Sequence, residues 1–97
     1  MIFAELAVHP NVEKMLKVLV EGFGDVEWGD QGTKENPDAY FWIKRRGVKV
    51  AVDNLTSLEF QVKCAQVDTP LIQEVIDVLA GAFLVKVYDE PEYEAHE

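Results

Sequence analysis

The chain has 97 residues, 48% of them hydrophobic and 28% charged, which is the range of globular domains and far from the composition of unfolded chains. One domain fits, with about 65% of its unfolded surface available for burial, and no length is left for a separate catalytic or regulatory unit. Eighteen acids against nine bases give a net charge of −9, which disfavours long-range attraction to a polyanion such as nucleic acid.

Ile2, Ala4, Leu6 and Val8 alternate with other residues and predict a first strand. Val12, Met15, Leu16, Leu19, Val20 and Phe23 then recur at the period of one buried helical stripe, so residues 10–22 are expected to be a helix. Pro10 or Asn11 starts it, and Gly22 or Gly24 ends it. Val26 and Trp28 suggest a short strand, followed by a polar loop from Asp30 to Asp38 that carries Gly32 and Pro37. After the loop the period is two: Ala39, Phe41 and Ile43 in one strand, Val48, Val50 and Val52 in the next, and Leu58, Phe60, Val62 and Cys64 in a third. Short, turn-rich connections at Arg45-Arg46-Gly47 and Asp53-Asn54-Leu55-Thr56 make these three an antiparallel meander. A second helix opens at Asp68 or Thr69 with Pro70 in its first turn, buries Leu71, Ile72, Val75, Ile76 and Leu79, and stops near Gly81. Phe83, Val85 and Val87 form the last strand.

The expected order is β-α-β-β-β-β-α-β, a two-layer α+β domain in which two helices cover one face of an antiparallel sheet, with ferredoxin-like character. The domain is expected to occupy residues 1–88. Residues 89–97 hold five of the eighteen acids and are expected to form a frayed acidic tail. Met1-Ile2-Phe3-Ala4-Glu5 has no basic region before its apolar residues, and no apolar run approaches the length needed to span a bilayer, so a cytoplasmic protein is expected.

If Val48, Val50, Val52, Leu58, Phe60 and Val62 lie under the helices, their alternating neighbours share the opposite side of the sheet. That open face collects Tyr40, Trp42, Lys44, Lys49, Lys63, Lys86 and Tyr88, with Leu84, Asp53 and Glu59 among them. Three readings suit such a face. Lysine stems and aromatic rings occupy strand surface without any further role; aromatic anchors and lysines make a protein interface, either between two copies of the chain or with another protein; or rings stack on single-stranded nucleic acid while lysines hold phosphates. Arg46-Gly47-Val48-Lys49-Val50-Ala51-Val52 has the basic residue and glycine of an RNA-binding strand but valine where the stacking rings belong. Nucleic acid is therefore the weaker reading.

Catalytic chemistry needs groups that converge, and few are present. Cys64, the only cysteine, alternates inward and reads as an inert buried thiol; His9 precedes the first helix, and His96 lies in the tail. Asp25, Glu27, Asp30, Glu35 and Asp38 do not fit a calcium loop, because counting from Asp25 the required glycine and final glutamate fall on Asp30 and Asn36. Gly22-Phe23-Gly24 follows a helix, whereas a phosphate loop opens one. The expectation is a small non-catalytic interaction module without cofactor or metal, partnered by a second copy or by another protein. The alternative is a small-molecule or single-stranded nucleic-acid binder that uses the same face.

Overall fold

The computed structural model describes residues 1–32 and 38–93. Its elements in chain order are β1 (Ile2–Leu6), α1 (Val12–Phe23), β2 (Glu27–Asp30), β3 (Ala39–Arg45), β4 (Val48–Asp53), β5 (Gln61–Cys64), α2 (Pro70–Ala80) and β6 (Val85–Glu92). The six strands form one sheet in the order β2-β3-β4-β5-β1-β6, and every neighbouring pair is antiparallel. The fold is α+β. Among the described residues, no helix is long and apolar enough to cross a membrane.

One row of cross-strand partners shows where the core lies: Trp28, Phe41, Val52, Val62, Ala4 and Val87 follow one another from edge to edge. The four inner members are fully buried, while Trp28 and Val87 at the edges are exposed. Met15 and Leu19 of α1, and Leu71, Ile72, Val75, Ile76 and Leu79 of α2, close over this row in a single apolar cluster. Each fully buried side chain of this size contributes about 1.5–3 kcal/mol relative to exposure.

Both helices start at side-chain caps. Asn11 accepts from the Lys14 amide at 2.8 Å, and Thr69 caps α2 ahead of Pro70. The first helix therefore begins after Pro10 and runs one residue beyond Gly22, with Gly24 as its cap. Val20, expected in the buried stripe, is exposed; the stripe centres on Met15 and Leu19, and Val20 sits one helical step around from Leu19, on the flank.

Three strand expectations change. Residues 54–60, not four turn residues, connect β4 to β5, and Leu58, expected under the helices, is 84% exposed. The chain leaves the ladder because Asn54 bonds back to Ala39 through both its amide and its side chain, and because Asp53 Oδ1 accepts from the Leu55 amide. Phe60 then takes the core position, its ring 6.0 Å from Phe41. Strand β1 stops at Leu6, leaving Val8 exposed. Strand β6 continues past Asp89 to Glu92, which pairs with Ile2. Between Val87 and Glu92 it bulges against β1, and with Asp89, Glu90 and Pro91 on the bulge this edge is poorly shaped to accept another strand. Residues 94–97, with His96, and residues 33–37, with Glu35 and Pro37, lie outside the described residues.

Candidate functional site

Strand register gives the open face its rows. Gly29, Tyr40, Asp53, Gln61, Glu5 and Lys86 are successive partners in one; Glu27, Trp42, Ala51, Lys63, Ile2 and Glu92 are successive partners in the next; Lys44 and Lys49 pair in a third. Tyr40, Trp42, Lys44, Lys49, Lys63, Lys86 and Asp53 fall in these rows, and Tyr88 reaches Glu5, its hydroxyl donating to Glu5 Oε2 at 3.0 Å; Glu59 lies in the connection before β5, outside the ladder. Their surroundings differ sharply from one another.

Lys63 was expected to be one of the lysines that meet acids across an interface. Its side chain is instead 7% exposed, paired at 2.6 Å with Asp53, itself 9% exposed, and it also donates to Thr56 Oγ1 at 3.0 Å. The connection of residues 54–60 folds over this pair, so Lys63 is a wall of the face and not a free cation. Lys44 bonds both carboxylate oxygens of Glu27, at 3.0 and 3.2 Å. Lys86 stands opposite Glu5. Lys49 is exposed and lies over the Trp42 ring, 4.4 Å from its centroid, with Lys44 at 5.5 Å. A cation held over indole in this way is worth about 0.5–1 kcal/mol at an exposed site. The lysines thus do not sum to a basic surface.

Trp42 is packed between those ammonium groups and Tyr40, whose ring centroid is 4.6 Å away. Tyr40 in turn lies across Gly29, where any Cβ would meet the phenol ring at 2.5 Å. The small residue opposite the ring is what lets it lie flat. Beside Trp42, Ala51 lowers the floor between the indole and Lys63. The result is an open concavity of about 540 Å³, bordered by Trp42, Lys49, Leu55, Thr56, Lys63 and Gln66. Residues 54–56 supply its far wall, a role the alternation of the strands did not reveal; the turn chemistry of Asp53 and Asn54 was the available signal.

At the other end of the face, Tyr88, Glu5 and Gln61 form a cluster. Burial, then the hydrogen bond and charge of Glu5, push the Tyr88 phenol up to about 12, while the Gln61 bond opposes them. Among the described residues, Gln61 Oε1 is buried with no hydrogen-bond partner.

The sulfur and imidazole candidates do not meet. Cys64 is buried at the end of β5, where its carbonyl accepts from the Met1 ammonium at 2.8 Å. His9 is exposed and follows the far end of β1, beside Pro10, Lys14, Phe83 and Leu84 around a second concavity of about 580 Å³. Among the described residues, no group of three or more His, Cys, Asp or Glu side chains is arranged to hold a metal ion. No family model matches the chain, and neither does any curated protein or solved structure.

Proposed function

We propose that this protein is a non-catalytic interaction module that meets a protein partner, a second copy or another chain, through the open face of its sheet. The observation that carries the reading is Trp42: a half-buried indole in contact with Tyr40 and two lysines, at the lip of a concavity that Ala51 also lines. An aromatic anchor already packed against its own neighbours loses little entropy on binding, and such residues dominate interface energetics. We also read the fold as ferredoxin-like in character: the strand order β2-β3-β4-β5-β1-β6 supports a split β-α-β with a four-stranded meander in place of the hairpin. The cytoplasm is the compartment we propose.

Light scattering on size-exclusion fractions, at low micromolar concentration and above, tests this. In any complex the protein makes, Trp42→Ala weakens association by about 2 kcal/mol or more, roughly 30-fold in Kd, while far-UV circular dichroism stays unchanged. An unchanged dissociation constant removes the reading. A small anionic ligand is the second reading, supported by a concavity within the roughly 300–1,000 Å³ of ligand sites. A steep loss of binding with salt distinguishes a phosphate-rich ligand from a protein. The ion pairs of Lys44 with Glu27 and of Lys63 with Asp53 weigh against nucleic acid.

A further inference from the structure

The concavity beside Trp42 is where the open face has room for part of a partner, and its lining sets the chemistry of that part. Its apolar groups are the Trp42 indole, Val48, Ala51, Leu55 and Ala65. Leu55 is 42% exposed, a large apolar side chain at the border of this space that the core does not use. Three charged side chains also line it: Asp53, Lys63 and Lys49. Asp53 and Lys63 are buried against each other at 2.6 Å and cancel. Lys49 is exposed, and among the described residues no acid pairs with it. Its direct cross-strand partner is another lysine, Lys44, which is bonded to Glu27 at 3.0 and 3.2 Å. Like charges placed opposite one another in a sheet repel, so an acid arriving at Lys49 relieves a repulsion as well as making a contact.

We infer that the partner protein meets this concavity with an acidic-apolar segment: a bulky apolar side chain enters the space beside Trp42, and a neighbouring carboxylate bonds Lys49 Nζ. The inference rests on the reading of the open face as an interface and adds the chemistry of what that face meets. Charge complementarity sets the sign. A basic segment would face two lysines side by side, and a segment with several phosphates would find only one cation that is not already paired with an acid. The spacing follows from size. Lys49 Nζ stands 4.4 Å from the centre of the Trp42 ring, and successive residues of an extended chain are about 3.3 Å apart, so the acid is the next residue or the one after. The apolar side chain supplies most of the affinity, because it covers Trp42, Ala51 and Leu55, while the single ion contact fixes the direction in which the segment lies.

Selection of linear peptides from a random displayed library, on the immobilised full chain, tests this. The wild type should enrich sequences in which Asp or Glu stands within about two positions of Phe, Trp, Leu or Ile. A labelled synthetic copy of the most enriched peptide, followed by fluorescence anisotropy, should bind Lys49→Glu and Trp42→Ala at least about 10-fold more weakly. With its acid replaced by lysine, the same peptide should bind Lys49→Glu more tightly than it binds the wild type. Lys49→Glu is a mild change for the fold, because it turns the Lys44–Lys49 pair into one of opposite charges, and an unchanged circular dichroism spectrum confirms that each variant is folded. Enriched peptides without a shared acid, or peptides lost with Trp42→Ala but indifferent to Lys49→Glu, overturn the acidic-apolar segment and leave the interface reading intact. Peptides indifferent to Trp42→Ala as well overturn both. No enrichment over the bare support overturns the segment, and the response of a complex to Trp42→Ala then decides the interface reading alone.

Discussion

The buried pair of Lys63 and Asp53 offers the sharpest measurement of how the open face is built. The two side chains are 7% and 9% exposed and meet at 2.6 Å. Asp53→Asn keeps the shape of the residue and the oxygen that accepts from the Leu55 amide, while removing the carboxylate charge that meets the buried Lys63 ammonium at 2.6 Å. Breaking a buried pair from one side costs about 3–5 kcal/mol, out of a total stability of about 5–15 kcal/mol for a domain of this size. At about 4–8 °C per kcal/mol, the thermal midpoint falls by roughly 12 °C or more. Lys63→Met should lose a similar amount. Asp53→Asn/Lys63→Met together should lose far less than the sum, because no uncompensated charge remains, giving a coupling of about 2 kcal/mol or more in urea unfolding. If Asp53→Asn costs less than about 1 kcal/mol, as at a surface pair, then residues 54–60 do not shield the pair and the wall of the concavity is not what the structure shows.

Two other sites give independent tests. Tyr88 titrates near 12 in the folded chain and near 10 when unfolded; the neutral phenol is the form the fold favours, so its contribution is fully present below pH ~10 and is lost as pH rises from about 10 to 12. The alkaline difference spectrum should show a late tyrosine step that Tyr88→Phe removes; the absence of that step refutes the burial of Tyr88 beside Glu5. Arg46 and Gly47 form the two-residue turn between β3 and β4, both with positive φ, at 51° and 80°. Arg46→Asn should therefore raise stability by about 0.5–1 kcal/mol in the urea midpoint, and a loss there counts against this turn.

Much of the fold was legible because it depends on local periods. The inward set Phe41, Ile43, Val50, Val52, Val62 and Cys64 is buried as alternation required, and α2 lies between Thr69 and Gly81 as its cap and stop residues indicate. Leu58 failed for a reason that alternation does not contain. Asp53 and Asn54 hydrogen-bond their own backbone and the neighbouring strand, ending the ladder early, and Phe60 outcompetes Leu58 for the core by lying against Phe41. The end of β6 failed similarly: charge and proline suggested fraying from Asp89, but a bulge lets Glu92 rejoin β1.

The open face illustrates a different limit. Period two assigns Lys44, Lys49, Lys63 and Lys86 to one side, yet it does not say which acid stands across from each. Those neighbours are set by the order of strands. Glu27 reaches Lys44 because β2 borders β3, and Glu5 stands opposite Lys86 because β1, from the other end of the chain, lies between β5 and β6. Asp53 and Lys63 meet in adjoining strands under the cover of the connection between them. What looked like a basic surface on an acidic chain is therefore largely neutralised from within. A partner approaching this side meets the Trp42 ring, the notch over Ala51 and the Lys49 ammonium, so apolar fit with a single charge contact, and not electrostatic attraction, has to supply its affinity.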